Sequence, residues 1–407
     1  SISNMGLALG FLTVSIFSSL ISTALGGSSI RAGLTLSIVI FFLLAMPFGI
    51  RYFITSKIIL FNICMFFLML ISYFISVTIF TESDSLRFSL SLVLLFLMSF
   101  ASLAFVTTLD SLKDNSFHKL LIFSFYLLMC LGFVVLVRKV GFGYESKDMI
   151  LFREPSHYAI VFIPFVLYAA YTCHKKLYAV LYISFAMAIA LIIQNLILLV
   201  GCLMVIFLVF AKSFWSLFLI MSAIIALAFI LDLQYFLVRL DFSADNQNLS
   251  TLVFLSGWER AYLSFIESYG VGVGFQQLGF AGPEGELQII LQSLMGESGL
   301  NAKDGGTLGS KIVAEMGALG LILLLFYLFF SIRIAKKFLQ RQIIGPKNIF
   351  FLGVYLLFSM ELFMRGMGYF SLLSFLFLSS IYWIYRSRFL VPHSLKVSLT
   401  LLVSYFI

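Results

Sequence analysis

The chain has 407 residues, 62% apolar, 17% aromatic and 11% charged, with a formal net charge of +8. A soluble domain is about half apolar and about a quarter charged, so no water-facing fold has interior enough for this sequence. Nucleic-acid binding, soluble dehydrogenase chemistry and a disulfide-stapled module drop out, and an all-α, polytopic membrane protein remains.

About 20 mostly apolar residues are needed to span a bilayer. The pattern predicts helices over 7–25, 33–50, 58–80, 88–107, 120–137 and 157–172. Six more follow over 177–193, 195–211, 214–231, 311–332, 348–364 and 369–385. The first lacks a basic leading region and reads as a retained helix rather than a cleaved signal. The run 177–211 is split at Gln194–Asn195, and the apolar tail 396–407 is too short to span. The organisation is then 1–234, with nine spans and a short external loop at 138–156; a large external loop at 235–310; and 311–407, with three spans and a tail.

With twelve spans and the N-terminus inside, cytoplasmic segments hold fifteen of the 26 Lys and Arg but only Asp110 and Asp114 of the 18 acids. Excess Lys and Arg mark the cytoplasmic side, so both termini are expected there. Cys64, Cys130, Cys173 and Cys202 lie in or beside apolar spans without CxxC spacing, and support neither disulfides nor zinc.

A loop as long as 235–310 inside a compact protein is usually functional, which puts any chemistry on the external face. Within it, 256–269 reads as an amphipathic helix with Trp258, Tyr262 and Phe265 at helical spacing. Gly270, Gly272 and Gly274 end it. A second helix is expected over 284–297, with Leu287, Ile290, Leu291 and Leu294 on one face. Both are expected to lie flat on the outer membrane surface.

Four external clusters carry candidate chemistry. Arg153, Glu154, Pro155, Ser156 and His157 open the sixth span, with Pro at the first helical position and Glu154 near the cap. Arg260 sits in the first loop helix beside Glu259. Lys311 and Glu315 form an i,i+4 pair at the entry to the tenth span, and Glu361 and Arg365 form another at the end of the eleventh. Charge inside a membrane is costly enough to point to function, although a cap, a solvated face or a helix-joining ion pair would also account for each. No P-loop occurs, and Glu284–Gly285–Glu286 is a poor metal site, so neither metal nor cofactor is expected. External arginines beside one imidazole suit the departure of a diphosphate, because the guanidinium fork matches phosphate oxygens.

Three motifs give this pattern a likeness. Trp258-Glu259-Arg260 followed by Gly270-Val271-Gly272-Val273-Gly274-Phe275 is similar to an arginine-then-GxGxGF signature. Ala314 to Leu321 is similar to an AExGxxGL entry to the tenth span, and Arg153 to Ala159 reads REPSHYA. Together with the span plan, the chain resembles the Wzy-type O-antigen polymerase family, within the larger group that includes O-antigen ligases. Ligases carry a His some nine residues before the glutamate, where this chain has Gly306. Arg260 also misses the family's R-x10-G spacing by one residue.

The resemblance implies a C-type membrane glycosyltransferase in an inner membrane, with its active site on the periplasmic face. Its substrate would be an oligosaccharide repeat carried on undecaprenyl pyrophosphate, and a chain-length regulator would be its partner. His157 would be the general base with Glu154 in support and Glu315 as second choice. Arg153, Arg260 and Arg365, assisted by Lys311, would hold the departing diphosphate. A ligase-like transferase and a twelve-helix transporter or lipid flippase are the alternatives. In the transporter reading, Gln194 and Asn195 are the best polar pair for the midplane, although an interhelical hydrogen bond accounts for them better.

Overall fold

The computed structural model describes residues 56–80, 82–143, 154–211, 248–295 and 303–387, with a few single positions besides. The spans expected over 7–25, 33–50 and 214–231, the tail 396–407 and Arg153 lie outside the described residues. All regular structure among the described residues is helical. The helices are α1 (Ser56–Ile79), α2 (Ser85–Asp110), α3 (Asp114–Phe142), α4 (Pro155–Thr172), α5 (Lys176–Ile192) and α6 (Leu196–Phe210). Then come α7 (Leu249–Glu267), α8 (Glu286–Met295), α9 (Leu308–Leu339), α10 (Pro346–Leu357), α11 (Ser359–Phe363) and α12 (Leu372–Ser387). Five segments are long and apolar enough to cross a membrane: α1 from Ile59, α2, α3, α9 and the α10–α11 pair. The protein is a multi-pass membrane protein.

Helix α4 is the axis of the bundle. It packs on α3, α5, α6 and α10, and every residue from Tyr158 to Tyr171 is buried. A helix apolar on all sides has no face to offer water, so it takes the centre. On its far side, α10 and α2 both pack on α12. The long run 177–211 does divide where expected. Gln194 turns with φ 58°, and the Asn195 side chain caps α6 by accepting from the Leu198 amide. The Asn195 amide also donates to the Pro155 carbonyl at 2.6 Å, so this pair sits in a turn at the mouth of α4 and not at a midplane site.

The connections gather at two ends. At one, Lys347 donates to the carbonyls of Asp110 and Leu112 and pairs with Asp114 at 3.6 Å, while Arg386 pairs with Asp110 at 2.6 Å. At the other end lie Arg87, Glu154, the 270–281 segment, Lys303 to Lys311 and the 364–371 turn.

The loop helices depart from expectation. Helix α7 begins seven residues earlier than 256. It packs along α9, and its buried face is Val253, Ser256, Gly257, Arg260, Ala261 and Ser264. Trp258 and Phe265 are half-buried and Tyr262 is exposed. Small residues win the buried face because they admit close backbone approach: a Cβ on Gly257 would run into the Gly305 carbonyl. Helix α8 is pinned to α7 by the Glu259 carboxylate, which accepts from the Glu286 and Leu287 amides, both at 3.0 Å.

Helix α9 is broken at Gly317 (φ 55°, ψ −128°). The 270–274 segment fills the break backbone to backbone. Ala318 donates to the Gly270 carbonyl at 2.7 Å, while Val273 and Gly274 donate to the Ala314 and Glu315 carbonyls, both at 2.9 Å. Only glycine adopts the Gly317 conformation without strain, and a Cβ there would overlap the Gly270 carbonyl. Gly317→Ala is therefore expected to lower stability by about 3 kcal/mol or more. Gly141→Ala, in an open helical position of α3, should be neutral or slightly stabilising. Thermal unfolding of the detergent-solubilised variants checks both.

Candidate functional site

The glycine-rich segment and the entry of α9 are one structure. Glu315 is fully buried, and its carboxylate accepts from the amides of Gln276 (2.9 Å) and Leu278 (3.3 Å). The expected pair with Lys311 is present at 3.6 Å, with Lys311 1% exposed. Lys311 also donates to the Lys303 carbonyl at 2.6 Å and reaches the Gln276 side chain at 3.4 Å, with its ammonium 5.4 Å from the centre of the Tyr369 ring. Gln276 holds a left-handed backbone (φ 62°), its amide donating to Glu315 while its side-chain oxygen faces Lys311 and Arg87. A buried carboxylate needs such donors to remain charged.

Arg87, at the start of α2, joins this network and was not among the expected site residues. Its guanidinium donates twice to the Gln276 side-chain oxygen (3.1 and 3.2 Å) and once to the Lys303 carbonyl at 3.3 Å, and lies over Phe280. Its only sequence signal is a cation one turn into a span after Asp84, which caps α2 through the Arg87 amide at 2.9 Å.

The second group stands at the mouth of α4. Arg365 pairs with Glu154 at 3.0 Å, the Ser156 hydroxyl donates to the same carboxylate oxygen at 3.0 Å, and His157 Nε2 is 3.9 Å from it. Burial pushes the Glu154 carboxyl up, but Arg365, His157 and Ser156 together outweigh it and hold the group below its ordinary value. The expected i,i+4 pair of Glu361 with Arg365 is absent. The chain leaves the helix at Met364, so Glu361 turns inward to the Ser371 hydroxyl at 2.7 Å while Arg365 swings to Glu154. The Gly366 amide, donating to the Gly306 carbonyl at 3.0 Å, fixes that departure.

Arg260 is 3% exposed and lies with Ser256, Gly257 and Gln288 against the Gly305–Gly306 turn. Burial lowers its pKa, while Glu284, Glu315 and Glu259 raise it part of the way back; a guanidinium stays charged through such a shift. The helix that carries Arg260 and the residue after Arg365 both meet this turn, α7 through Gly257 and the 364–366 segment through Gly366. The structure brings together Glu154, His157 and Arg365 in one group and Lys311 and Glu315 in another, with Arg260 beside the turn that joins them. Glu284 and Glu286 flank the start of α8, and among the described residues no three His, Cys, Asp or Glu side chains group as metal ligands. No family model, curated protein or solved structure matches the chain.

Two outcomes are expected. Lys311→Met removes the cation paired with the fully buried Glu315 and should cost about 3 kcal/mol. Adding Glu315→Gln should recover part of that loss, a non-additivity read from a double-mutant cycle of thermal unfolding. The Glu154 carboxyl is held down in the folded state, so its hold on Arg365 is complete above the ordinary carboxylate value of about 4.3 and fails as pH falls through the lower folded value. Hydrogen exchange over 364–371, corrected for intrinsic rate, should lose protection there in the native chain and show no such transition in Glu154→Gln.

Proposed function

We propose that this protein is a polysaccharide polymerase of the O-antigen type. It would join oligosaccharide repeats carried on undecaprenyl pyrophosphate at the periplasmic face of an inner membrane. This reading includes twelve spans in a C-type glycosyltransferase fold, cytoplasmic termini and a chain-length regulator as partner. The observation that carries it is the docking of the GxGxGF-like segment into the broken AExGxxGL-like helix. Two motifs about forty residues apart in sequence form one backbone junction.

In the reaction, a hydroxyl of the acceptor repeat attacks the anomeric carbon of the growing chain. The carbon–oxygen bond to the diphosphate breaks, and its electron pair leaves on the phosphate oxygen. His157 takes the hydroxyl proton, and the ionised Glu154 beside it stabilises the resulting imidazolium. Arg260 and Arg365 face the charge that develops on the diphosphate, in a setting where burial strengthens their attraction. Glu315, with both carboxylate oxygens engaged by backbone amides, acts as a positioning residue rather than as a base, and Lys311 is its counter-ion.

The broken α9 is the one feature that favours a transporter, since such breaks commonly hold ions or substrates. Here the break lies near one end of the helix and is filled by the backbone of 270–274, so no binding space opens at it.

Purified protein incubated with its lipid-linked repeat and EDTA should yield a ladder of regularly spaced glycans. Arg260→Lys should cut polymer yield about a hundredfold while keeping its unfolding midpoint, because a lysine cannot replace the guanidinium fork. His157→Gln should cost a similar or larger factor. A folded protein with authentic substrate and no ladder under any metal condition would sink the polymerase reading.

A further inference from the structure

Helix α9 carries an exposed apolar stripe beyond its break. Leu325, Leu328, Phe329 and Ile332 lie on one face, with Ile332 70% exposed. In a membrane this face meets lipid tails. It runs directly into Arg333 and Lys336, both exposed, at the end of the bundle opposite the candidate site.

Charge at this end is unbalanced. The sequence has no Asp or Glu between Glu315 and Glu361. The acids at the same end, Asp110 and Asp114, are engaged by Arg386 and Lys347. Among the described residues no carboxylate pairs with Arg333 or Lys336. The Arg333 guanidinium folds back over Phe329, its centre 4.2 Å from that of the ring. Helical side chains lean toward the N-terminus, which carries this cation one turn up into the apolar stripe. A guanidinium held against lipid tails needs an anion, and the phosphate of the lipid whose tails cover the stripe is the one in reach.

We infer that Arg333 and Lys336, at the foot of the lipid-facing stripe of α9, bind the headgroup phosphate of an anionic phospholipid. Its acyl chains lie along Leu325, Leu328 and Ile332. Tails and headgroup are recognised together, so a free phosphate ester is not enough. The inference does not depend on the reaction proposed for the opposite face.

The test is thermal unfolding of the full chain in neutral detergent, titrated with phosphatidylglycerol, phosphatidylcholine or soluble glycerol phosphate. Phosphatidylglycerol should raise the midpoint by several degrees, and the other two should not. Removing each charge should weaken the apparent affinity about fivefold. Arg333→Gln/Lys336→Gln should therefore need roughly thirtyfold more lipid for the same rise. Lys176→Gln, at an exposed site on the same end of the bundle, should behave like the native chain. If the double variant folds poorly, Lys336→Gln alone carries the test, since that side chain is exposed. An undiminished rise in the Arg333 and Lys336 variants, an equal loss in Lys176→Gln, or an equal rise with glycerol phosphate would each overturn the inference.

Discussion

The described structure hangs on a backbone-to-backbone junction. Helix α9 opens at Gly317, and the segment from Gly270 to Gly274 enters the opening to satisfy the amide and carbonyls that the break releases. An unpaired peptide group at membrane depth costs several kcal/mol, so a helix can be broken there only if another backbone completes it. Ser72 and Ser76 of α1 bond the Glu315 and Val273 carbonyls at the same place, so the first described span is tied into the junction too. Glu315 then seals it from within, by accepting the amides of the turn that follows.

From that junction the positions of the charged groups follow. The turn at Gly305–Gly306 is set by Lys311 and Arg87, which both donate to the Lys303 carbonyl. It receives α7 through Gly257 and the 364–366 turn through Gly366, so the segments that carry Arg260 and Arg365 meet one backbone turn although they come from a loop helix and the end of a span. The third element, Glu154 with His157, is fixed differently. It stands at the N-terminus of the bundle's most buried helix, where every residue from Tyr158 to Tyr171 is packed inside.

Inside the bundle, polar groups act as local clamps. Asn62, Ser99 and Tyr382 hydrogen-bond one another across α1, α2 and α12. Such buried polar contacts hold helices that lipid would otherwise solvate equally well. The end opposite the candidate site is laced by Lys347 and Arg386 to Asp110 and Asp114.

Much of this was legible in the sequence. Composition determined the membrane class, and the apolar runs placed the described spans with ends off by up to seven residues, because the bilayer rewards any apolar run long enough to cross it. The split at Gln194–Asn195 and the Lys311–Glu315 pair were readable because both are local, set by a turn residue and by helical spacing. What sequence spacing misjudged depended on where helices stop and which face they bury. Glu361 and Arg365 are four apart, yet the helix ends between them, at a point chosen by a bond from Gly366 to Gly306 some sixty residues away. Helix α7 buries its glycine and arginine rather than its aromatics, because close approach to the Gly305 carbonyl outweighs apolar area at that contact. Arg87 has only its place one turn after Asp84 to mark it, and Gln276 carries no local signature. Spans are decided by the solvent, which reads one segment at a time, whereas the site is decided by contacts between distant segments, which exist only once the chain has packed.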